Sequence, residues 1–101
     1  MQIQINTSNF DHSDALDAHV RETLERTVGR FGERVTRYEV HLSDLNGQAK
    51  AGPDDKRCLI EARPAGRDPL VVEDRAGDFY DAITTAAEKM RTSLERRLER
   101  T

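Results

Sequence analysis

The stretch GDFYDAITTAAEKMRTSLERR, residues 77–97, carries the clearest structural signal in this chain of 101 residues. Its apolar side chains recur at intervals of three and four residues, which is the period of an amphipathic helix. The apolar stripe consists of Phe79, Ile83, Ala86, Met90 and Leu94. A helix start signal lies at Gly77 or Asp78, and no proline follows, so we predict one long helix from here onward.

The sequence before this helix contains four strands and one further helix. Residues 2–6, 35–45, 56–63 and 70–74 alternate apolar and polar side chains, as strands with one buried face do. Apolar residues at helical spacing run from Leu16 to Phe31, with Ser13 as the predicted N-cap and Gly32 as the predicted C-cap. Residues 46–55 are predicted to form a polar loop, including a solvated turn at Asp54 and Asp55, and residues 64–69 a hairpin turn.

The resulting order, β-α-β-β-β-α, predicts an α+β fold in a single domain that spans residues 1–101. The connection that contains a helix makes the first two strands parallel neighbours, and the short later connections give an antiparallel meander. Because every strand has one apolar face, two helices should pack on the same face of a four-stranded mixed sheet. The other face of the sheet should remain in water.

Composition excludes several classes of protein. Hydrophobic residues make up 36% and charged residues 35%, which is compatible with one modest core. No apolar run approaches the roughly 20 residues of a membrane helix, and no signal peptide is visible, so we expect a cytoplasmic protein. The single cysteine, Cys58, excludes an internal disulfide. It alternates with core positions, which favours a buried hydrophobic role over a reactive thiol.

No constellation of residues predicts catalysis. The histidines at positions 12, 19 and 41 have no second ligand at a metal-binding spacing. There is no nucleophile elbow of the GxSxG type and no glycine-rich phosphate loop. We therefore predict a protein that is not an enzyme and that has no metal, cofactor or small-molecule substrate.

Charge gives the first indication of a partner. The net charge of −3, from 16 basic and 19 acidic residues, does not favour a nucleic acid. On a helical wheel, however, each helix carries a stripe of basic groups on the same flank of its apolar face. These stripes are His19, Arg26 and Arg30 on the first helix, and Lys89, Arg96 and Arg100 on the last.

Two interpretations of these stripes remain open. In parallel helices one stripe should face the groove between them, where arginine forks suit the phosphates of RNA. The stripes would then have to gather into one surface. Alternatively, they are solvated helix faces that pair with neighbouring glutamates such as Glu95 and Glu99. No exposed aromatic pair is predicted that would stack on unpaired bases.

The block DFYDAI at residues 78–83, followed by Lys89 and further bases, resembles the ribosome hibernation-promoting factors, also called ribosome-associated inhibitors or sigma modulation proteins. The likeness extends to residues 14–31 and 34–42. Altogether it spans nearly the whole chain. It implies a domain like a double-stranded-RNA-binding fold with an extra first strand. It also implies binding to the small ribosomal subunit between head and body. There, short members of this kind overlap the paths of messenger and transfer RNA and hold idle ribosomes inactive.

The resemblance implies ribosomal RNA contacts by basic residues of the two helices. The predicted contacts are Arg26, Arg30, Lys89, Arg96, Arg97 and Arg100. The chain differs from its relatives at Thr23, where they often have lysine. The alternative function is a diverged protein-interaction module of the same fold with weak or no binding to ribosomal RNA. A weak homodimer through a sheet edge or the open sheet face is a further expected partner.

Overall fold

The computed structural model describes residues 1–45 and 54–99, and the predicted order of elements is confirmed there. The strands are β1 (Ile3–Ser8), β2 (Val35–Asp44), β3 (Lys56–Pro64) and β4 (Leu70–Ala76). The helices are α1 (Asp14–Val28) and α2 (Phe79–Leu98). A 3₁₀ segment, Gly29–Arg34, joins α1 to β2.

The four strands form one mixed sheet in the order β1-β2-β3-β4. β1 runs parallel to β2, with Ile5 opposite Val40, and the later pairs are antiparallel. This is the predicted sheet. The chain direction makes α1 and α2 parallel to each other, and it brings the β3–β4 turn close to the C-terminal end of α2.

The core lies between the sheet and the two helices. Val20 and Leu24 of α1 and Met90 of α2 are fully buried with Val40 and Ile60 of the sheet. Truncating one of the large members to alanine would cost about 2–5 kcal/mol of folding free energy. The apolar periodicity of the sequence therefore identifies the surfaces that hold the fold together.

The predicted N-cap of the first helix and the predicted start of the last helix are confirmed, whereas the predicted end of the first helix is wrong. The Ser13 hydroxyl accepts a hydrogen bond from the amide of Leu16 at 3.1 Å, and Asp78 caps α2 in the same way. α1 ends at Val28, and a 3₁₀ turn follows. Gly32 adopts the left-handed φ of +53° inside this turn, and Phe31 is buried in the core from there.

The predicted solvated turn is present at Asp54, which is exposed, but is wrong for Asp55. Asp55 is only 4% exposed, and its carbonyl accepts a hydrogen bond from the amide of Leu45 at 2.9 Å. The Lys56 ammonium lies 2.9 Å from the Asp55 carboxylate and 3.4 Å from that of Asp44. These contacts hold the adjoining ends of β2 and β3 together. The other loop residues, 46–53, lie outside the described residues.

Cys58 is part of the core, as its position in the strand pattern predicts. Its side chain is fully buried, and burial raises the pKa of the thiol to about 12. A thiol held so far from ionisation is a poor nucleophile at neutral pH. Neither helix is long and apolar enough, within the described ranges, to cross a membrane.

Candidate nucleic-acid interface

The basic stripe of α1 faces α2, but its last member is already bound there. One guanidinium nitrogen of Arg30 donates to Glu99 at 2.6 Å, and another donates to Glu95 at 2.7 Å. The guanidinium of Arg34 lies 3.7 Å from the same Glu99 carboxylate. These pairs raise the pKa of Arg30 and lower the pKa of Glu99. Two carboxylates thus neutralise two arginines at this end of the groove.

Glu95 and Glu99 reach across from α2 to the guanidinium of Arg30. The second interpretation of the stripes expects glutamate partners along one helix, whereas these ion pairs join two elements. Arg26 of the α1 stripe differs from Arg30. It is exposed and has no ion pair or hydrogen bond from its side chain within residues 1–45 and 54–99.

Lys89 and Arg96 of the α2 stripe lie on the opposite side of that helix, next to β4. The Lys89 ammonium donates to the carbonyl oxygen of Glu73 at 2.8 Å and to the Asp74 carboxylate at 3.1 Å. Arg96 borders the same side, in an open depression with Val72 and Lys89. The described members of the two stripes therefore do not gather into one surface.

A cluster of arginines without carboxylate partners lies at the C-terminal end of α2. An open depression of about 430 Å³ is lined there by Arg67, Leu70, Ser93, Arg96 and Arg97. Arg67 donates to the carbonyl oxygen of Arg97 at 2.9 Å, and Arg97 donates to that of Asp68 at 3.4 Å. None of the three guanidiniums forms an ion pair with a carboxylate of the described part of the chain. This is where cationic groups are available to an anion.

Arg67 is the member of this cluster that the sequence reasoning missed. It lies in the β3–β4 turn, 30 residues before Arg97, whereas a helical wheel compares only residues of one helix. The signal was present in the element order, because α2 runs antiparallel to β4 and so ends beside that turn. Arg100, the last of the predicted contacts, lies outside the described residues.

A ring contact between the half-buried His19 and the exposed Tyr80 joins the N-terminal parts of the helices. The ring centroids of His19 and Tyr80 are 4.5 Å apart, and Tyr80 is 47% exposed. Thr23 is fully buried, and its hydroxyl lies 3.4 Å from Nε2 of His19. Thr23 is therefore a packed residue that contacts the His19 ring.

A family model decides what kind of protein this is. The model described as "Sigma 54 modulation protein / S30EA ribosomal protein" matches residues 3–101. The chain belongs to this family. Its members are ribosome-associated factors without catalytic activity, so the resemblance and the prediction of a non-enzymatic protein are confirmed.

Two solved structures share the fold of this member of the family. The N-terminal domain of Thermus thermophilus Protein Y is 24% identical, covers 96% of this chain and 99% of its own, and has a TM-score of 0.76. A ribosomal subunit interface protein from Coxiella burnetii is 16% identical, covers 99% and 100%, and has a TM-score of 0.83. A comparison with curated proteins finds no match. At these identities the structural likeness establishes the fold alone.

Proposed function

We propose that this protein binds the small ribosomal subunit through phosphates of ribosomal RNA. By occupying the channel of messenger and transfer RNA there, it inhibits translation and promotes ribosome hibernation without catalysing a reaction. The observation that carries this proposal is the arginine-lined end of α2. Arg96 and Arg97 lie there without a carboxylate partner in the described ranges, although the chain is acidic overall.

The arginines of the interface favour RNA as the partner over an acidic protein surface. A guanidinium presents a planar fork of N–H donors that matches two phosphate oxygens. Double-stranded RNA is recognised mainly by its shape and by its phosphate and 2′-hydroxyl groups, so base-specific contacts are not required. A protein that lies in an RNA channel in this manner acts by steric exclusion, and its location is the cytoplasm, with the ribosomes.

The predicted contacts fall into two groups by what they already bind. Arg26, Arg96 and Arg97 meet RNA directly, because no carboxylate of the described chain has to be displaced first. Arg30 and Lys89 must first leave Glu95, Glu99 or Asp74. We therefore assign the larger contribution to the first group. Arg100, which lies outside the described residues, remains a predicted contact.

The alternative function, a protein-interaction module, is favoured by the open face of the sheet. Arginines and glutamates pair across this face, among them Arg63 with Glu39 and Arg57 with Glu73. Val71 of the edge strand β4 lies on this face and is 57% exposed. The ion pairs around it carry no net charge. A surface of this kind suits a protein partner or a weak homodimer better than RNA.

Co-sedimentation with purified small and large ribosomal subunits distinguishes the two functions. We expect the protein to pellet with small subunits at low salt, to dissociate as salt rises, and to remain in solution with large subunits. Addition of the protein should also reduce translation in a reconstituted system. A homodimer by light scattering that pellets with neither subunit would reject ribosome binding in favour of the interaction module.

A further inference from the structure

The arginine cluster at the end of α2 is held together by two elements that are distant in sequence. The β3–β4 turn contributes Arg67, and the last turns of α2 contribute Arg96 and Arg97. Hydrogen bonds run in both directions between them. Arg67 donates to a backbone carbonyl of the helix, and Arg97 donates to a backbone carbonyl of the turn.

These hydrogen bonds orient the guanidiniums without neutralising them. Arg67 and Arg97 each use one N–H group on a neutral carbonyl, and a guanidinium has several more donors. Arg96 has no hydrogen bond or ion pair within the described residues. Three positive charges therefore surround one depression with most of their donors unused.

The remaining lining of the depression fits a small anion. Ser93 adds a hydroxyl donor on the preceding turn of α2, and Leu70 provides an apolar wall beside it. Three forks and a hydroxyl suit the tetrahedral oxygens of a phosphate group, which accepts hydrogen bonds in several directions at once.

We propose that Arg67, Arg96 and Arg97 form a seat for one phosphate group. In the proposed function, on which this assignment rests, the occupant is a phosphodiester of ribosomal RNA. The seat adds Arg67, a residue of the β3–β4 turn, to the interface. The basic stripes of the two helices do not include this residue. The seat also fixes the direction of approach, because the RNA backbone must contact the C-terminal end of α2 and the turn together.

Two measurements on the full chain test the seat, with Arg21→Ala as the matched control. Arg21 is an exposed arginine of α1 without a partner among the described residues. We expect inorganic phosphate to shift the side-chain NMR signals of Arg67, Arg96 and Arg97, and Arg67→Ala to weaken this binding about fivefold or more. Arg67→Ala should also lower the salt dependence of small-subunit binding by about one unit of slope.

The outcomes separate the seat from the proposed function. If Arg67→Ala matches Arg21→Ala in both measurements while the wild type binds small subunits, the seat is rejected and the function stands. If the wild type binds phosphate at these arginines but no ribosomal subunit, the function is rejected. Arg67→Lys keeps the charge and loses the fork, so it should retain only part of the affinity.

A competition experiment distinguishes free inorganic phosphate from an RNA phosphodiester as the occupant of the seat. A short RNA duplex that displaces inorganic phosphate from the wild type, and does so less well from Arg67→Ala, supports a phosphodiester as the occupant. An RNA duplex that leaves the phosphate-induced shifts of Arg67, Arg96 and Arg97 unchanged would overturn the role of the seat in RNA binding.

Discussion

Arg30 and Arg96 are the same residue type near the ends of the two helices, yet their surroundings are opposite. Arg30 follows α1 and is held by Glu95 and Glu99 of the neighbouring helix. Arg96 lies near the end of α2 and borders two open depressions without a carboxylate partner in the described ranges. The position of a positive charge near a helix end therefore does not determine its availability to a ligand.

The two arginines also contribute differently to the molecule. Arg30 links the end of α1 to α2 through solvent-exposed ion pairs, and ion pairs of this kind add little stability. An RNA phosphate that approaches Arg30 has to replace a carboxylate and gains only the difference between two similar interactions. At Arg96 the phosphate replaces water alone. Binding should therefore depend on the region around Arg96 far more than on the region around Arg30.

The largest effect is expected from reversing the charge of the available region. Arg96→Glu combined with Arg97→Glu should weaken small-subunit binding by about 100-fold. Each replaced arginine loses a hydrogen bond to a charged group, worth about 1.5 kcal/mol or more. Arg21→Glu with Arg75→Glu makes the same charge change away from the seat and should have little effect. Equal losses in the two double variants, measured by fluorescence anisotropy, would show that only total charge matters.

Removing the carboxylates of Glu95 and Glu99 should make the region around Arg30 available to RNA. In Glu95→Gln combined with Glu99→Gln, Arg30 and Arg34 lose their ionic partners. We expect small-subunit binding to tighten about threefold and its salt dependence to steepen by about one unit of slope. The matched change Glu22→Gln with Glu25→Gln lies on α1 outside these pairs. If both double variants tighten binding equally, local pairing of Arg30 is not the reason.

A smaller effect should appear in stability at acidic pH. Arg30 holds the pKa of Glu99 below its usual value of 4.5 in the folded protein. The stability that this pair adds is therefore present above pH 4.5 and is lost as the pH falls through the folded value. The difference in melting temperature between the wild type and Arg30→Ala should shrink from pH 7 to pH 3. For Arg21→Ala that difference should stay constant, and a constant difference for Arg30→Ala would contradict the account.

The sequence predicts most of this fold because its signals are local. Alternation along the strands, the apolar stripe from Phe79 to Leu94 and the caps at Ser13 and Asp78 each involve neighbouring residues. The end of α1 was predicted too late, because Phe31 keeps the helical spacing while it enters the core from a 3₁₀ turn.

The candidate site is only partly predictable because it depends on contacts between distant elements. The spacing of residues places Arg30 on the flank of α1, but its partner Glu99 is 69 residues away. A helical wheel gives the angle of Glu99, not the reach of its side chain. Arg67 and Arg97 are in contact only because the β3–β4 turn and the end of α2 lie at the same end of the sheet. Such pairings need the tertiary structure.

The most direct test compares the salt dependence of small-subunit binding for Arg96→Ala and Arg30→Ala. Both variants remove one exposed guanidinium from the same protein. We predict that Arg96→Ala lowers the slope of log affinity against log salt by about one unit, whereas Arg30→Ala leaves it nearly unchanged. A slope that falls equally in both variants, or more in Arg30→Ala, would contradict the claim that the carboxylate partners decide which arginines bind RNA.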